Sequence, residues 1–423
     1  MPEIELKYGR ESLHFAYDAE RFRVLEVETR NERPLSDVEI GAAIDAPIDS
    51  PLLEEIIKPD GSVLIVVSDA TRATASGQIV NLLVRRLIEL GVAPHDINII
   101  FATGIHRAVT AAEKRELLTP FIAQRIKTLD HDSQDPSSMV RLGTTTRGTP
   151  IVINRALKEH DHVILTGAVG FHYFAGFTGG RKSICPGLAS AQTIQATHML
   201  ALDFERGGRR KGVGTGLLEG NAVHEECEQI AGLVEPSFLI NAVVDEGGRA
   251  LRVYAGDWRS AHRRACADYL EGHSIKIEGR RALVIAAAGG SPWDINLIQA
   301  HKSLEMAASA CAEGGDIILL AECADGLGRE DFLKWFEAPD SRALEERLRQ
   351  DYEVNGQTAW SLLVKAEKFR VHLVSKLSDA EVLRMRMLPS RTIDEALARV
   401  DAGRPGYIMP HAPALLPVSD TGR

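Results

Sequence analysis

Ser62-Val-Leu-Ile-Val-Val-Ser-Asp-Ala-Thr-Arg72 and Ile97-Asn-Ile-Ile-Phe-Ala-Thr-Gly-Ile-His-Arg107 are the segments that decide the fold. Each opens on a continuous apolar run, the pattern of a strand buried on both faces of a parallel sheet. Between them Ile79-Val-Asn-Leu-Leu-Val-Arg-Arg-Leu-Ile-Glu-Leu repeats apolar residues at helical spacing and stops at Gly91. Strand, helix, strand is a βαβ unit, with a right-handed crossover. Each strand gives way to a polar cluster, Asp69 to Arg72 in one case and Thr103 to Arg107 in the other. In a parallel sheet such clusters converge on one edge, where open α/β sheets keep their sites.

Further along, Val163 to Val169 reads as a third strand and runs into Gly170-Phe-His172-Tyr-Phe-Ala-Gly-Phe-Thr-Gly-Gly-Arg-Lys182-Ser-Ile-Cys-Pro-Gly187. Glycine costs conformational entropy and buries no side chain, so a loop this rich in it lets backbone approach something closely. A helical run from Leu188 to Leu202 follows, with His198 toward its C-terminal end. Residues 1 to about 60 alternate in short strand-like pieces, and residues 220 to 277 are mostly helical in pattern, with an edge strand expected at Ile240-Asn-Ala-Val-Val-Asp. From Glu278 the rhythm returns. Ala282-Leu-Val-Ile-Ala-Ala-Ala reads as a strand, Leu297 to Ala312 as a helix, and Asp316-Ile-Ile-Leu-Leu as a strand. The expected architecture is two α/β domains, 1–275 and 276–423, with mainly parallel, Rossmann-like sheets enclosing a cofactor cleft.

Composition narrows the function classes. Of the 423 residues 26% are charged and 44% hydrophobic, the balance of an ordinary globular enzyme. The formal net charge is −10 and no basic cluster is interleaved with aromatics, which argues against nucleic acid and anionic membrane surfaces. The five scattered cysteines form no CxxC pair, as expected of a reducing compartment and not of a structural zinc module. The N-terminus lacks the basic and apolar regions of a signal peptide, and no run reaches the ~18 apolar residues of a membrane span, so a cytoplasmic location is expected. Neither GxGxxG nor GxxxxGK[ST] occurs, which removes a dinucleotide fingerprint and a P-loop.

Several side chains could carry chemistry, each with a plainer alternative. Arg72 stands just beyond a strand, where a guanidinium can grip a carboxylate or phosphate, unless Asp69 or Thr71 is simply a helix cap and Arg72 is solvated. His106 suits a general base, and His172 adds a second imidazole on the same sheet edge; two bases on opposite sides of a stereocentre are what a racemase or epimerase needs. Lys182 could bind an anion or be modified covalently, against the reading of a solvated loop lysine. His198 could be a core residue, a cation at a helix C-terminus, or a lone metal ligand whose companions come from a cofactor. Gln299 and Lys302 lie three apart in the first turns of a helix, a place that attracts anions, although the spacing also fits a solvated face. Trp360 reads more naturally as core than as site.

Together these motifs resemble the nickel-pincer lactate racemase family over nearly the full length. The matching segments are Ser68-Asp69-Ala-Thr-Arg72, Thr103-Gly-Ile-His106-Arg107, Phe171-His172-Tyr173 with Gly179-Gly-Arg-Lys182-Ser, Thr197-His198, Asp294-Ile-Asn with Gln299 and Lys302, and Trp360. The resemblance implies a nickel-dependent isomerase, an α-hydroxy acid racemase or epimerase. Its cofactor is a pyridinium-3,5-bisthiocarboxylic acid mononucleotide, the nickel-pincer nucleotide, covalently attached to Lys182, with His198 as the protein's ligand to nickel. His106 and His172 are then the paired acid/base residues, Asp69, Arg72 and Trp360 cofactor-binding, and Arg72, Gln299 and Lys302 substrate-binding. The reaction it implies is reversible hydride transfer through an α-keto acid, with the cofactor carrying the difficult step. The implied partners are a small α-hydroxy acid and the enzymes that make the cofactor, with no nucleic acid and no membrane; no oligomeric state is implied.

The match has departures. Ala73 stands where many members carry proline after the arginine, and Ile298 before Gln299 is apolar. Members differ in substrate among lactate, malate, aromatic hydroxy acids and longer sugar acids. Two other functions fit the residues less fully: a cofactor-free protein that binds hydroxy acids or nucleotides on the same fold, and a hydrolase using His106 and His172 with a divalent metal, which lacks any multi-ligand spacing.

Overall fold

The structure is a computed structural model that describes residues 1–27, 32–70 and 72–419. The chain divides into two compact units, Thr29–Ala201 with Arg210–Tyr269, and Met1–Glu28 with Leu202–Arg209 and Leu270–Arg423. In chain order the strands of the two principal sheets are β1 (Phe22–Val24), β2 (Val63–Ser68), β3 (Ile97–Ala102), β4 (Lys127–Leu129), β5 (His162–Ala168), β6 (Phe238–Val244), β7 (Ala250–Gly256), β8 (Arg281–Ala287), β9 (Cys311–Leu320), β10 (Arg370–Val374), β11 (Leu388–Ser390) and β12 (Gly406–Met409). Four helices matter below: α1 (Ser76–Glu89), α2 (Ala191–Met199), α3 (Leu297–Ala310) and α4 (Val354–Lys368).

In the unit spanning 29–269 the sheet runs β7-β6-β5-β2-β3-β4. Every pairing is parallel except the antiparallel β6–β7. The unbroken apolar run of β2 has its reason in the two sides of this sheet. Leu64 and Val66 enter one core cluster, with Leu165 and Leu239, while Val63, Ile65 and Val67 enter another, with Ile99, Phe101 and Ile240. Burying each such side chain stabilises the fold by about 1.5–3 kcal/mol. Helix α1 covers the second cluster with Ile79, Val80, Leu83, Val84 and Leu87, an i, i+1, i+4 stripe, and ends before Gly91, whose φ of +95° suits glycine.

The segment expected to be an edge strand lies inside the sheet. β6 is flanked by β5 and β7, and it is β7, with its middle residues only half-buried, that forms the edge. A hairpin turn after Asp245 folds Ala250–Gly256 back against β6, so the turn signal at Glu246-Gly-Gly marks a strand return.

In the other unit the sheet runs β11-β10-β9-β8-β12-β1 with every pairing parallel. Phe22 pairs with Gly406, Arg23 with Tyr407 and Val24 with Ile408, which ties the start of the chain to a strand near its end. Leu283, Ile285, Ile318, Leu320, Val374 and Ile408 build its core together with Leu6 and Phe22. Strand β9 begins at Cys311, earlier than the apolar run alone indicates.

Candidate active site

Sheet order places the first constellation. From β2 the chain proceeds outward through β3 to β4, whereas β5, on the other side of β2, leads to β6 and β7. The gap between β2 and β5 is therefore a topological switch point, where loops at the carboxyl ends of the strands part and leave a crevice. Asp69 and Arg72 follow β2, His172 and Lys182 follow β5, and His106 follows the adjacent β3. A backbone bond from Gly104 N–H to the Gly187 carbonyl, 2.9 Å, ties the β3 loop to the far end of the long β5 loop.

His106 and Asp69 form a dyad. The Asp69 carboxylate, 5% exposed, sits 2.7 Å from His106 Nδ1, on a ring whose side chain is 48% exposed. A carboxylate there holds the proton on Nδ1 and leaves the lone pair on Nε2. The family resemblance links Asp69 with cofactor binding; in the structure its carboxylate is bonded to His106.

The long loop begins as a tight hairpin in which Phe171–His172 pairs antiparallel with Gly176–Phe177. Gly176 has φ +78°, and a Cβ on it would stand 2.0 Å from the Leu217 carbonyl oxygen, so the turn admits only glycine. Ala175 N–H donates to His172 Nδ1 at 3.2 Å, which in the neutral ring puts the proton on Nε2. Phe174, buried between these residues, is the common neighbour of the candidate groups. Its ring meets His172 edge-on at 4.5 Å and His198 at 5.0 Å between centroids, and Lys182 Nζ lies 5.8 Å from its centre.

Lys182 lies in a single 3₁₀ turn, Gly180–Ser183. Burial, then the positive charges of Arg72 and Arg181, hold its amine well below the usual lysine range. A lowered pKa favours the neutral amine, the nucleophilic form. Arg181 is fully buried, donating from Nη2 to the Ala175 carbonyl at 2.6 Å with Nη1 3.1 Å from His262 Nε2. Arg72 itself is exposed.

His198 occupies the last turn of α2, whose N-cap is Ser190. Its Nδ1 lies 2.8 Å from the Ile194 carbonyl one turn earlier, which fixes Nδ1–H as donor and leaves Nε2 as the free lone pair. Burial, reinforced by Lys182, pushes its pKa down to about 3, so the ring is neutral at any ordinary pH. A neutral, oriented imidazole suits a transition-metal ion such as nickel, zinc, copper or iron. Among the described residues no group of three or more His, Cys, Asp or Glu side chains is placed to hold a metal ion. A metal at His198 would take its other donors from a non-protein group.

The remaining candidates belong to the other unit. Asn296 caps α3 by accepting Gln299 N–H at 3.0 Å, and Lys302 Nζ donates to Gln299 Oε1 at 2.7 Å, so these two are joined at the head of the helix. Trp360, on α4, is buried and lines a cavity of about 510 Å³ with Arg209, Glu305, Ser361 and Lys365. Asp294, within the Asp-Ile-Asn segment, is fully buried and accepts the N–H groups of Gly9 and Glu322, at 2.7 and 3.1 Å. The structure thus groups Lys182, His198 and His172 around Phe174, pairs His106 with Asp69 and Gln299 with Lys302, and sets Trp360 in a cavity wall. Sequence reasoning missed Phe174 and Arg181. Both sit inside the glycine-rich stretch, but nothing in their spacing distinguishes a hub or a clamp from its neighbours.

Among the described residues no helix is long and apolar enough to cross a membrane. Residues 8–208 match the family described as lactate racemase N-terminal domain, and residues 278–404 the lactate racemase C-terminal domain. The chain is 32% identical over 412 residues to the lactate racemase of Lactiplantibacillus plantarum, covering 95% of each. It is 30% identical over 406 residues to that of Thermoanaerobacterium thermosaccharolyticum, covering 94% of each. The lactate racemase apoprotein of the latter organism superposes with a TM-score of 0.90 at 28% identity, over 99% of this chain and 100% of that one. A protein from Thermotoga maritima shares the fold at 18% identity, with a TM-score of 0.68 over 92% of this chain and 100% of that one.

Proposed function

The chain belongs to the lactate racemase family and is an isomerase, and from that premise we propose that it interconverts the enantiomers of a small α-hydroxy acid, lactate first among them. The observation that carries the proposal is the meeting of Lys182 and His198 at Phe174: a half-buried amine whose pKa is driven down, and an imidazole with its Nε2 lone pair free. That pair suits a nickel-pincer nucleotide, Lys182 as its covalent tether and His198 Nε2 on its nickel. Removing the α-hydrogen as a proton beside an ionised carboxylate is difficult, and the bound cofactor supplies instead a reversible acceptor for it as hydride, with an α-keto acid between the enantiomers.

The chain's own residues move the hydroxyl proton and hold the substrate. His106 is the base, since Asp69 keeps the proton on Nδ1 and Nε2 open to accept. His172, whose neutral ring carries its N–H at Nε2 while Nδ1 accepts from Ala175, donates a hydrogen bond to the substrate oxygen from the opposite side, and acts as the acid once a proton added at Nδ1 releases the Ala175 N–H. The two rings rest as opposite tautomers, with the lone pair of one and the N–H of the other at Nε2. For the substrate carboxylate or the cofactor phosphate the proposal assigns Arg72, Gln299 and Lys302, with Trp360 as an aromatic wall.

The test is the chain made alongside enzymes that build the cofactor. The Lys182 tryptic peptide gains mass, the protein carries about one nickel per chain as a single His198 site requires, and single-enantiomer lactate becomes racemic by chiral chromatography. A preparation made alongside those enzymes in which Lys182 is unmodified and hydroxy acid is bound but unchanged overturns the proposal in favour of a cofactor-free binding protein.

A further inference from the structure

Asn241 lies in the middle of Phe238-Leu-Ile-Asn-Ala-Val-Val, an otherwise apolar strand, and is 0% exposed. Asparagine is a poor strand former, and a buried amide is costly unless its polar atoms are bonded. Its partner in the parallel register of β5 is Gly167. Without a side chain there, Asn241 has room beside the strand: its Nδ2 stands 3.3 Å from where a Gly167 Cβ would be. Nδ2 donates to the Ile240 carbonyl at 3.2 Å, which orients the amide so that Oδ1 faces away, and Oδ1 accepts Gly180 N–H at 2.9 Å.

Gly180 is the first residue of the 3₁₀ turn that carries Lys182. The first N–H groups of any helical turn have no partner within it and need one from outside. Asn241 supplies that partner from a strand of the sheet. The turn is also moulded to it. Gly179 has φ +76°, and a Cβ there would stand 2.7 Å from Asn241 Oδ1; a Cβ on Gly180, φ +54°, would strike the His262 ring at 2.5 Å. Ser183 Oγ, donating to the Thr166 carbonyl at 3.3 Å, holds the other end of the turn to β5.

We propose that Asn241 is a positioning residue for Lys182, fixing from β6 the turn that presents the lysine amine. This rests on the reading of Lys182 as the cofactor tether, but the test separates the two. In full-length chain purified without cofactor, limiting acetic anhydride acetylates Lys182 in competition with the exposed Lys127, and peptide masses give the ratio. Asn241→Leu removes the acceptor, and the Lys182 to Lys127 ratio falls about 2- to 10-fold, the range of one lost hydrogen bond, while the peptide spanning residues 177–184 loses protection from hydrogen exchange. Asn241→Ala gives the same readout if the larger side chain prevents folding. Asn241→Asp keeps the Oδ1 acceptor for Gly180 N–H and, protonated at its other oxygen, the donor to the Ile240 carbonyl, so it restores the protection and the acetylation ratio that the Leu and Ala variants lose. Folded Leu and Ala variants with wild-type protection and a wild-type ratio would overturn the proposal. Absence of a mass increase at Lys182 in wild-type chain co-produced with cofactor-making enzymes instead sinks the tether reading and leaves the acetylation result standing.

Discussion

Two of the candidate site histidines share one device. Each gives Nδ1–H to a fixed oxygen, Asp69 Oδ2 for His106 and the Ile194 carbonyl for His198, so the sole remaining lone pair is on Nε2. For His106 the anchor is a side chain and can be altered. Asp69→Asn removes the charge that selects the tautomer, and the racemisation rate is expected to fall about 10²- to 10⁴-fold, mostly in kcat. Steady-state kinetics with each lactate enantiomer checks this, with unchanged Lys182 loading as the control. For His198 the anchor is backbone, so the ring itself is the target. His198→Ala is expected to lower nickel, measured by elemental analysis after dialysis, while the mass increase at Lys182 remains.

At the scale of elements, the strands and the loops after them were legible because a parallel sheet buried on both faces leaves an uninterrupted apolar signature, and because polar residues directly after such runs have one place to go. His106, His172 and Lys182 were found that way. The position of β6 was not legible, because an interior strand and an edge strand followed by a turn read alike until the hydrogen-bonded partner is known; β7 supplies that partner only through a hairpin. Asn241 was passed over for the same reason. The pairing of Phe22–Val24 with Gly406–Ile408 had no local signal at all, since three residues are too short a run to carry one. Two substitutions test what holds the elements. Gly176→Ala forces a side chain into the Leu217 carbonyl at positive φ, and thermal unfolding should show a loss of more than about 1 kcal/mol together with loss of activity. Between α3 and α4, Glu305 pairs with Lys365 and, at 2.5 Å, with Arg209. Burial works against its ionised form, but the two cations hold the carboxyl far below the usual range. Glu305→Gln leaves two positive charges without their acid and is expected to cost about 3–5 kcal/mol in denaturant unfolding.

For the whole molecule the consequence of burying imidazoles is a one-sided dependence on pH. Burial pushes the pKa values of His198, His224 and His301 down to about 3, and the last lies in a different unit from the other two. Unfolded, each titrates near 6.5, so the unfolded chain binds more protons over the interval between. Their contribution to stability is fully present above about pH 6.5 and is lost as the pH falls toward 3. Calorimetry of the cofactor-free chain should show the midpoint temperature dropping through this window, and His224→Gln should flatten part of the slope; a midpoint independent of pH from 7 to 4 contradicts the assignment.

The strand Phe22–Val24 also bears on the order in which the protein comes into being. It leaves the ribosome before any of residues 29–269, yet the strand it docks on, Gly406–Met409, follows all of them. Residues 29–269, apart from the short excursion at 202–209, complete their own sheet long before that. Since domains fold as units during synthesis, earlier ones first, the unit bearing the lysine and the histidines can mature while Phe22–Val24 still waits for Gly406–Met409 to be made.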